Sequence, residues 1–157
     1  MTLIPQPARL SHAETAELIL PSDTNVHGTA FGGRVVQWMD LCSSMAASRH
    51  CRQPVVTVSI DDLHFHAPIR IGEFALLSAR VTAAFHTSME IECVVRAENS
   101  ATGEKRLCTS AYLTFVALDA RSRPLAVPPL LMETDEDRRE FEAAKERRSG
   151  RLARAKR

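Results

Sequence analysis

The sequence predicts an α+β domain in which an antiparallel sheet wraps a long central helix, followed by a C-terminal helix. Three observations lead to this class. One amphipathic helical run lies in the first third of the chain, strand-like runs then continue to about residue 119, and a charged helical run ends the sequence. One helix followed by long antiparallel strands is an α+β arrangement, and the edges of such a sheet can pair with a second copy.

The central helix is predicted over residues 33–49, and Pro54 ends the helical region. Apolar residues recur at helical spacing on one face, which should pack against the sheet. These are Val35, Met39, Cys42 and Ala46, widened by Trp38, Leu41 and Met45. Small residues around one carboxylate form the other face, which leaves room for a ligand or for close backbone approach. These are Val36, Asp40, Ser43, Ser44 and Ala47.

Alternating and β-branched runs predict the strands. They cover 13–20, 55–66, 73–84, 89–97 and 107–118. In the run 89–97 the alternation is clean, with Glu90 and Glu92 on the polar face. The stretch 99–104, NSATGE, is a hairpin turn.

A proline-rich exit over 121–130 separates the sheet from a last helix that begins near Thr134. Thr134 and Asp137 fit a capping box, and an acidic first turn with a basic end suits the helix dipole. The predicted organisation is one domain over 13–130, followed by a charged helix and basic tail over 131–157.

Length, composition and charge limit the classes of protein to which this sequence can belong. The 157 residues suit one domain, with 45% hydrophobic and 25% charged residues. The net charge of +1 conceals six basic and no acidic residues in 147–157, against a net of −5 before them. A mildly acidic body with a basic tail is unlike a general nucleic-acid binder but suits one polyanionic ligand. Four cysteines without a CxxC pair, no signal peptide and no membrane-length apolar run predict a cytoplasmic location.

Several residues allow two interpretations. Asp40 is either a general base or nucleophile or an ordinary helix carboxylate, and Asn25 is either an amide that orients water or the carbonyl or a turn residue. The N–H groups of Gly32 and Gly33 either stabilise an oxyanion at a helix start or only allow a turn. His64 and His66 share a strand face, but no third ligand has a suitable spacing, so no metal is predicted.

Four blocks of the sequence together resemble the hotdog-fold acyl-CoA thioesterases. The resemblance is to the cytosolic or broad-range acyl-CoA hydrolases, in the single-domain form of bacteria. The blocks are PSDTNVHGTAFGG at 21–33, WMDLCSSMAASRHC at 38–51, VVTVSIDDLHFHAPIRIGE at 55–73, and FHTSMEIECVV at 85–95 with RSRPLAVPP behind it. The resemblance covers residues 13 to about 148. It implies a hotdog fold and hydrolysis of acyl-CoA to fatty acid and coenzyme A, with no further cofactor.

The resemblance also implies the site residues. The catalytic pair falls on Asn25 and Asp40, and both in one chain imply a homodimer in which Asn25 of one protomer faces Asp40 of the other. Trimers of dimers are common in the family, so a hexamer is expected. The resemblance assigns the pantetheine-contacting strand to Val58, Ser59 and Ile60. It assigns the nucleotide-contacting turn to Thr87, Ser88 and Met89, and Arg147 and Arg148 are further candidates for the 3′-phosphate.

Three other functions compete with the hydrolase. A non-catalytic acyl-CoA sensor would not need both Asn25 and Asp40. A dehydratase usually needs a histidine near its carboxylate, and the Asp40 face of the helix has none. A nucleic-acid binder is opposed by the acidic body and by the 5% aromatic content.

Overall fold

The computed structural model describes residues 2–157, and its two long helices and five long strands confirm the predicted α+β class. Helix α1 spans Gly32–Cys51 and α2 spans Asp135–Ala155. The long strands are β2 (Ala13–Leu18), β3 (Val55–Phe65), β4 (Phe74–Ala84), β5 (Ser88–Glu98) and β6 (Lys105–Ala117). Two short strands, β1 (Gln6–Pro7) and β7 (Leu130–Leu131), pair in parallel.

The five long strands form one antiparallel sheet in the order β2-β4-β5-β6-β3. Strand β3 therefore lies at an edge, paired on one side with β6. Its register shifts twice, once after Thr57 and once after Asp61, and Asp62 has a positive φ of 53°. Such bulges bend an edge strand and redirect its side chains.

Helix α1 packs on the inner face of the sheet. Its buried residues include Val35, Met39, Cys42 and Ala46, as the helical spacing predicted. Arg52 ends the helix in the left-handed conformation, two residues before Pro54. The core between α1 and the sheet is made mainly of aliphatic side chains from β4, β5 and β6.

The predicted position of Leu41 and Met45 on the core face is wrong. Both side chains are exposed, whereas Ser43 and Ala47, predicted on the other face, are buried. The buried face of α1 therefore includes the small side chains of Ser43 and Ala47, and Leu41 and Met45 lie outside it.

Helix α2 lies on the outer face of the sheet, and its capping box joins Thr134 and Asp137 as predicted. This packing buries Glu90 completely, although the alternation in β5 placed it on the polar face. The predicted division at residue 130 falls within β7, whose partner β1 precedes residue 13.

No helix within residues 2–157 is long and apolar enough to cross a membrane. The same part of the chain has no group of three His, Cys, Asp or Glu side chains that could hold a metal ion.

Candidate active site

Asp40 lies in the middle of α1 and is bound by a residue of β3. The hydroxyl of Thr57 donates a hydrogen bond to Oδ1 of Asp40, with an oxygen–oxygen distance of 2.5 Å. No other hydrogen bond within residues 2–157 involves this carboxylate, so Oδ2 is available to a ligand or to water. A half-buried carboxylate with one oxygen fixed and the other free has the geometry of a general base or a nucleophile.

Asn25 lies in the loop before α1, and its side chain shapes that loop. Its Oδ1 accepts hydrogen bonds from the backbone N–H groups of His27 and Thr29, and its Nδ2 donates to the Thr29 hydroxyl. This is the turn chemistry expected of asparagine. Within residues 2–157 no hydrogen bond joins Asn25 to Asp40.

A second loop supports the one that carries Asn25. The N–H of Ala30 donates to the carbonyl of Ile69, and the N–H of Ile71 donates to the carbonyl of Gly28. Glu73 closes this second loop, because its carboxylate accepts from the backbone N–H of Arg70 and from the Arg106 guanidinium at 2.6 Å. These bonds with Arg106 hold the pKa of Glu73 below its ordinary value.

Gly32 and Gly33, the predicted oxyanion residues, are the first two residues of α1, which begins one residue before the predicted start. In the described part of the chain their N–H groups have no hydrogen-bond acceptor, which is the usual state of the first turn of a helix. The ring of Phe65, at the end of β3, lies 3.6 Å from where a β-carbon on Gly32 would be. This ring, Ala30, Val35 and Ile69 line a mostly apolar cleft of about 350 Å³ at the helix start.

The predicted pantetheine residues lie along the edge strand. Val58 and Ile60 are exposed and Ser59 is half-buried. Val58 follows Thr57 at the first bulge, so the side chain that binds Asp40 directly precedes this segment.

The predicted nucleotide residues separate into two groups. Thr87 in the β4–β5 turn and Ser88 at the start of β5 are half-buried, and Arg148 lies over the neighbouring Phe85 ring at 4.7 Å. Met89 is fully buried in the core, paired with Ala84 on one side and with Phe115 on the other, so it presents no surface to a ligand. The guanidinium of Arg147 is bound to the buried Glu90 at 2.8 Å, which favours a structural role over the predicted phosphate contact.

Thr57 is the functional candidate that sequence reasoning missed. It lies within the β-branched run 55–60, which is typical of any strand, and nothing local distinguishes it from its neighbours. Its alignment with Asp40 arises only when α1 packs across β3.

Comparison with known proteins gives the family. A model of the thioesterase superfamily matches residues 27–104. An uncharacterised acyl-CoA thioester hydrolase of Bacillus subtilis is 40% identical over 119 residues, which cover 76% of this chain and 69% of that protein. The cytosolic acyl coenzyme A thioester hydrolase of Rattus norvegicus is 37% identical over 149 residues, but the match spans only 39% of its length.

Solved structures agree with this result. An apo-hexameric acyl-CoA thioesterase superimposes with a TM-score of 0.93 at 37% identity, covering 98% of both chains. An acyl-CoA hydrolase from Staphylococcus aureus superimposes with a TM-score of 0.88 at 32% identity, covering 96% of this chain and 92% of that one. That enzyme was solved with butyryl coenzyme A, coenzyme A and coenzyme A disulfide. The chain belongs to the thioesterase superfamily and is a thioester hydrolase of the hotdog fold.

Proposed function

We propose that the protein is an acyl-CoA thioesterase that hydrolyses acyl-CoA to a fatty acid and coenzyme A. The observation that carries the proposal is the bond between Thr57 and Asp40, which fixes one carboxylate oxygen and leaves the other free. The names of the relatives, which are acyl-CoA hydrolases, support coenzyme A thioesters as the substrate class.

The site is completed by a second copy of the chain. Gly32 and Asp40 are eight residues apart on one helix, a rise of about 12 Å, which is too far for both to act on one thioester. The two groups lie at opposite ends of β3, with Thr57 near Asp40 and Phe65 near Gly32. Antiparallel pairing of two β3 edges would bring the Thr57 end of one copy beside the Phe65 end of the other.

Exposed apolar side chains support this pairing. Val56, Val58 and Ile60 on β3 and Leu41 and Met45 on α1 are all exposed. Exposed apolar side chains of this kind beside an unpaired strand edge are typical of an interface. The hexameric thioesterase among the structural relatives supports assembly beyond the dimer.

The reaction needs only water and the residues described. In each composite site Asn25 and the Gly32 and Gly33 N–H groups of one copy would hold the thioester carbonyl. Asp40 of the other copy either takes a proton from the attacking water or attacks directly. In the first route the water oxygen forms the new C–O bond, the C–S bond breaks, and the proton held by Asp40 passes to the departing coenzyme A thiolate. In the second route an acyl-Asp40 anhydride forms as the C–S bond breaks, and water then hydrolyses it, which frees the fatty acid and Asp40 and supplies the proton for the thiolate. Coenzyme A enters as part of the substrate, and no cofactor is required.

Alanine variants of the Staphylococcus aureus hydrolase support the choice of residues. Structures of that enzyme exist with an asparagine, an aspartate or a threonine replaced by alanine. The substituted asparagine precedes the aspartate by 15 positions and the threonine follows it by 17. Asn25, Asp40 and Thr57 have the same spacing.

The decisive experiment measures thiol release from short-, medium- and long-chain acyl-CoAs. We expect wild type to hydrolyse at least one chain length and Asp40→Ala to lose turnover by about a hundredfold or more with its fold retained. Unchanged turnover in Asp40→Ala would remove this carboxylate from the mechanism. Binding of acyl-CoA without hydrolysis by wild type would point instead to a sensor.

Mixed assemblies test the composite site. Asn25→Ala and Asp40→Ala chains should each be inactive alone. Mixed after unfolding and refolding together, they should regain activity, because a dimer with one copy of each keeps one intact site. No recovery, with mixed dimers present by mass, would place both residues in one protomer's site.

A further inference from the structure

Helix α2 crosses the outer face of the sheet and contacts four strands in succession through charged side chains. Near its start Glu136 pairs with Arg80 on β4 at 2.9 Å. In its second half Arg147 pairs with Glu90 on β5 and lies 3.6 Å above the Tyr112 ring on β6. One turn later Arg151 reaches the edge strand, where its guanidinium is 2.7 Å from Asp61 on β3.

The contacts at the end of this crossing are buried. The Glu90 side chain is 0% exposed, and those of Asp61 and Arg151 are 10% and 11% exposed. Arg151 bridges the two acids, because it is also 3.0 Å from Glu90. A nearby Arg154 is 3.5 Å from Asp61 but largely solvent-exposed. Arg151 is therefore the buried cation that neutralises Asp61, since Arg147 already forms an ion pair with Glu90.

Asp61 occupies a critical place on β3. It is one residue past the middle of Val55–Phe65, at the start of the second bulge. It pairs with Tyr112 and points to the outer face, towards α2. In a symmetric antiparallel pair of β3 strands centred near Ile60, the two Asp61 side chains would lie on the same face as diagonal neighbours, about 7–8 Å apart.

Two unneutralised carboxylates this close would oppose pairing of the strands, because like charges a few ångströms apart and shielded from water repel each other. We propose that Arg151 makes dimerisation possible by neutralising Asp61 at the seam, the line along which the β3 strands of two copies meet. Helix α2 thus controls assembly of the composite active site although it contributes no residue to the reaction. This inference rests on the two-copy site of the proposed function.

The test compares four forms of the full chain: wild type, Arg151→Met, Asp61→Asn and the double variant. Methionine keeps much of the arginine stem and removes its charge. Sedimentation velocity over a dilution series at low salt measures association, and thermal unfolding with circular dichroism verifies the fold. We expect the dimer dissociation constant of Arg151→Met to rise about tenfold or more. Added salt should partly reverse this loss, because it screens the repulsion between the two Asp61 carboxylates.

The double variant separates charge from packing. Asp61→Asn alone should dimerise at least as well as wild type, and adding it to Arg151→Met should restore association. Arg154→Met is the matched control and should change association little, because Arg154 is exposed and more distant. If Arg151→Met proves too unstable to measure, Arg151→Lys replaces it in the test. This variant keeps the positive charge, so we expect it to dimerise.

Three results would overturn the inference. An unchanged dissociation constant in folded Arg151→Met would do so, as would a double variant that remains dissociated, because packing rather than charge would then be responsible. Wild type that hydrolyses acyl-CoA as a monomer would refute both this inference and the composite site. Wild type that dimerises without hydrolysing acyl-CoA would refute only the proposed reaction.

Discussion

Thr57 on β3 and Asp40 on α1 are joined by a side-chain hydrogen bond that connects the edge strand to the central helix. Because this bond directs one carboxylate oxygen, removing it should affect the reaction more than the fold. We expect Thr57→Ala to lower kcat by about tenfold to a hundredfold while KM changes little. Thr57→Ser keeps the hydroxyl and should retain most of the activity. Equal losses in both variants would show that the methyl group, not the hydrogen bond, matters.

The loop that carries Asn25 should depend on the ion pair between Glu73 and Arg106. Glu73→Gln removes the buried charge of a pair whose arginine is 31% exposed, and we expect the free energy of unfolding to fall by about 1–3 kcal/mol. Chemical denaturation measures this loss. Glu146→Gln, an exposed glutamate on α2, is the control and should change stability by less than about 0.5 kcal/mol.

The same pair sets a pH dependence. The pKa of Glu73 is lowered in the folded state from its ordinary 4.5, because Arg106 stabilises the charged form. Its contribution to stability is therefore present above pH 4.5 and is lost as the pH falls through the lower folded-state pKa. Wild type should lose free energy of unfolding in this range more steeply than Glu73→Gln. Parallel pH profiles for the two proteins would contradict the assignment.

Most of the fold was predictable because local sequence patterns indicate each helix and strand. The helix expected over 33–49 is observed over Gly32–Cys51, and the capping box at Thr134 was readable from two side chains. The burial of Glu90 was not predictable, because alternation shows which residues share a face of a strand but not whether a helix distant in sequence covers that face. Leu41 was misplaced for a related reason: helical spacing shows that apolar residues share a face but not whether that face packs on the sheet or stays exposed. Thr57 depends on how a helix crosses a strand, which no local pattern encodes.

His50 should make stability depend on pH nearer neutrality. Its ring is buried at the end of α1, where Nε2 is 2.8 Å from the carbonyl of Pro128, and burial lowers its pKa below 6.5. The unfolded chain therefore binds a proton near pH 6.5 that the folded chain does not yet accept. Stability should be full above this pH and should decline as the pH falls below it. His50→Gln should be less stable at pH 8 but show a flatter profile between about pH 6.5 and 5; an equally steep decline would assign the effect to another group.

A substitution of Leu41 tests whether the exposed apolar surface is an interface, and it leaves Asp61 and Arg151 unchanged. Its side chain is 54% exposed on α1, close to the 51% of Leu18, which lies on β2 at the opposite edge of the sheet. Leu41→Ser should barely change the stability of the isolated chain, because little apolar area is lost from its own core. If a second copy covers this surface, the variant should dissociate on dilution and lose activity in parallel, whereas Leu18→Ser should keep the dimer. Dissociation in Leu18→Ser with an intact dimer in Leu41→Ser would move the two-copy interface to the β2 edge and separate it from Asp40.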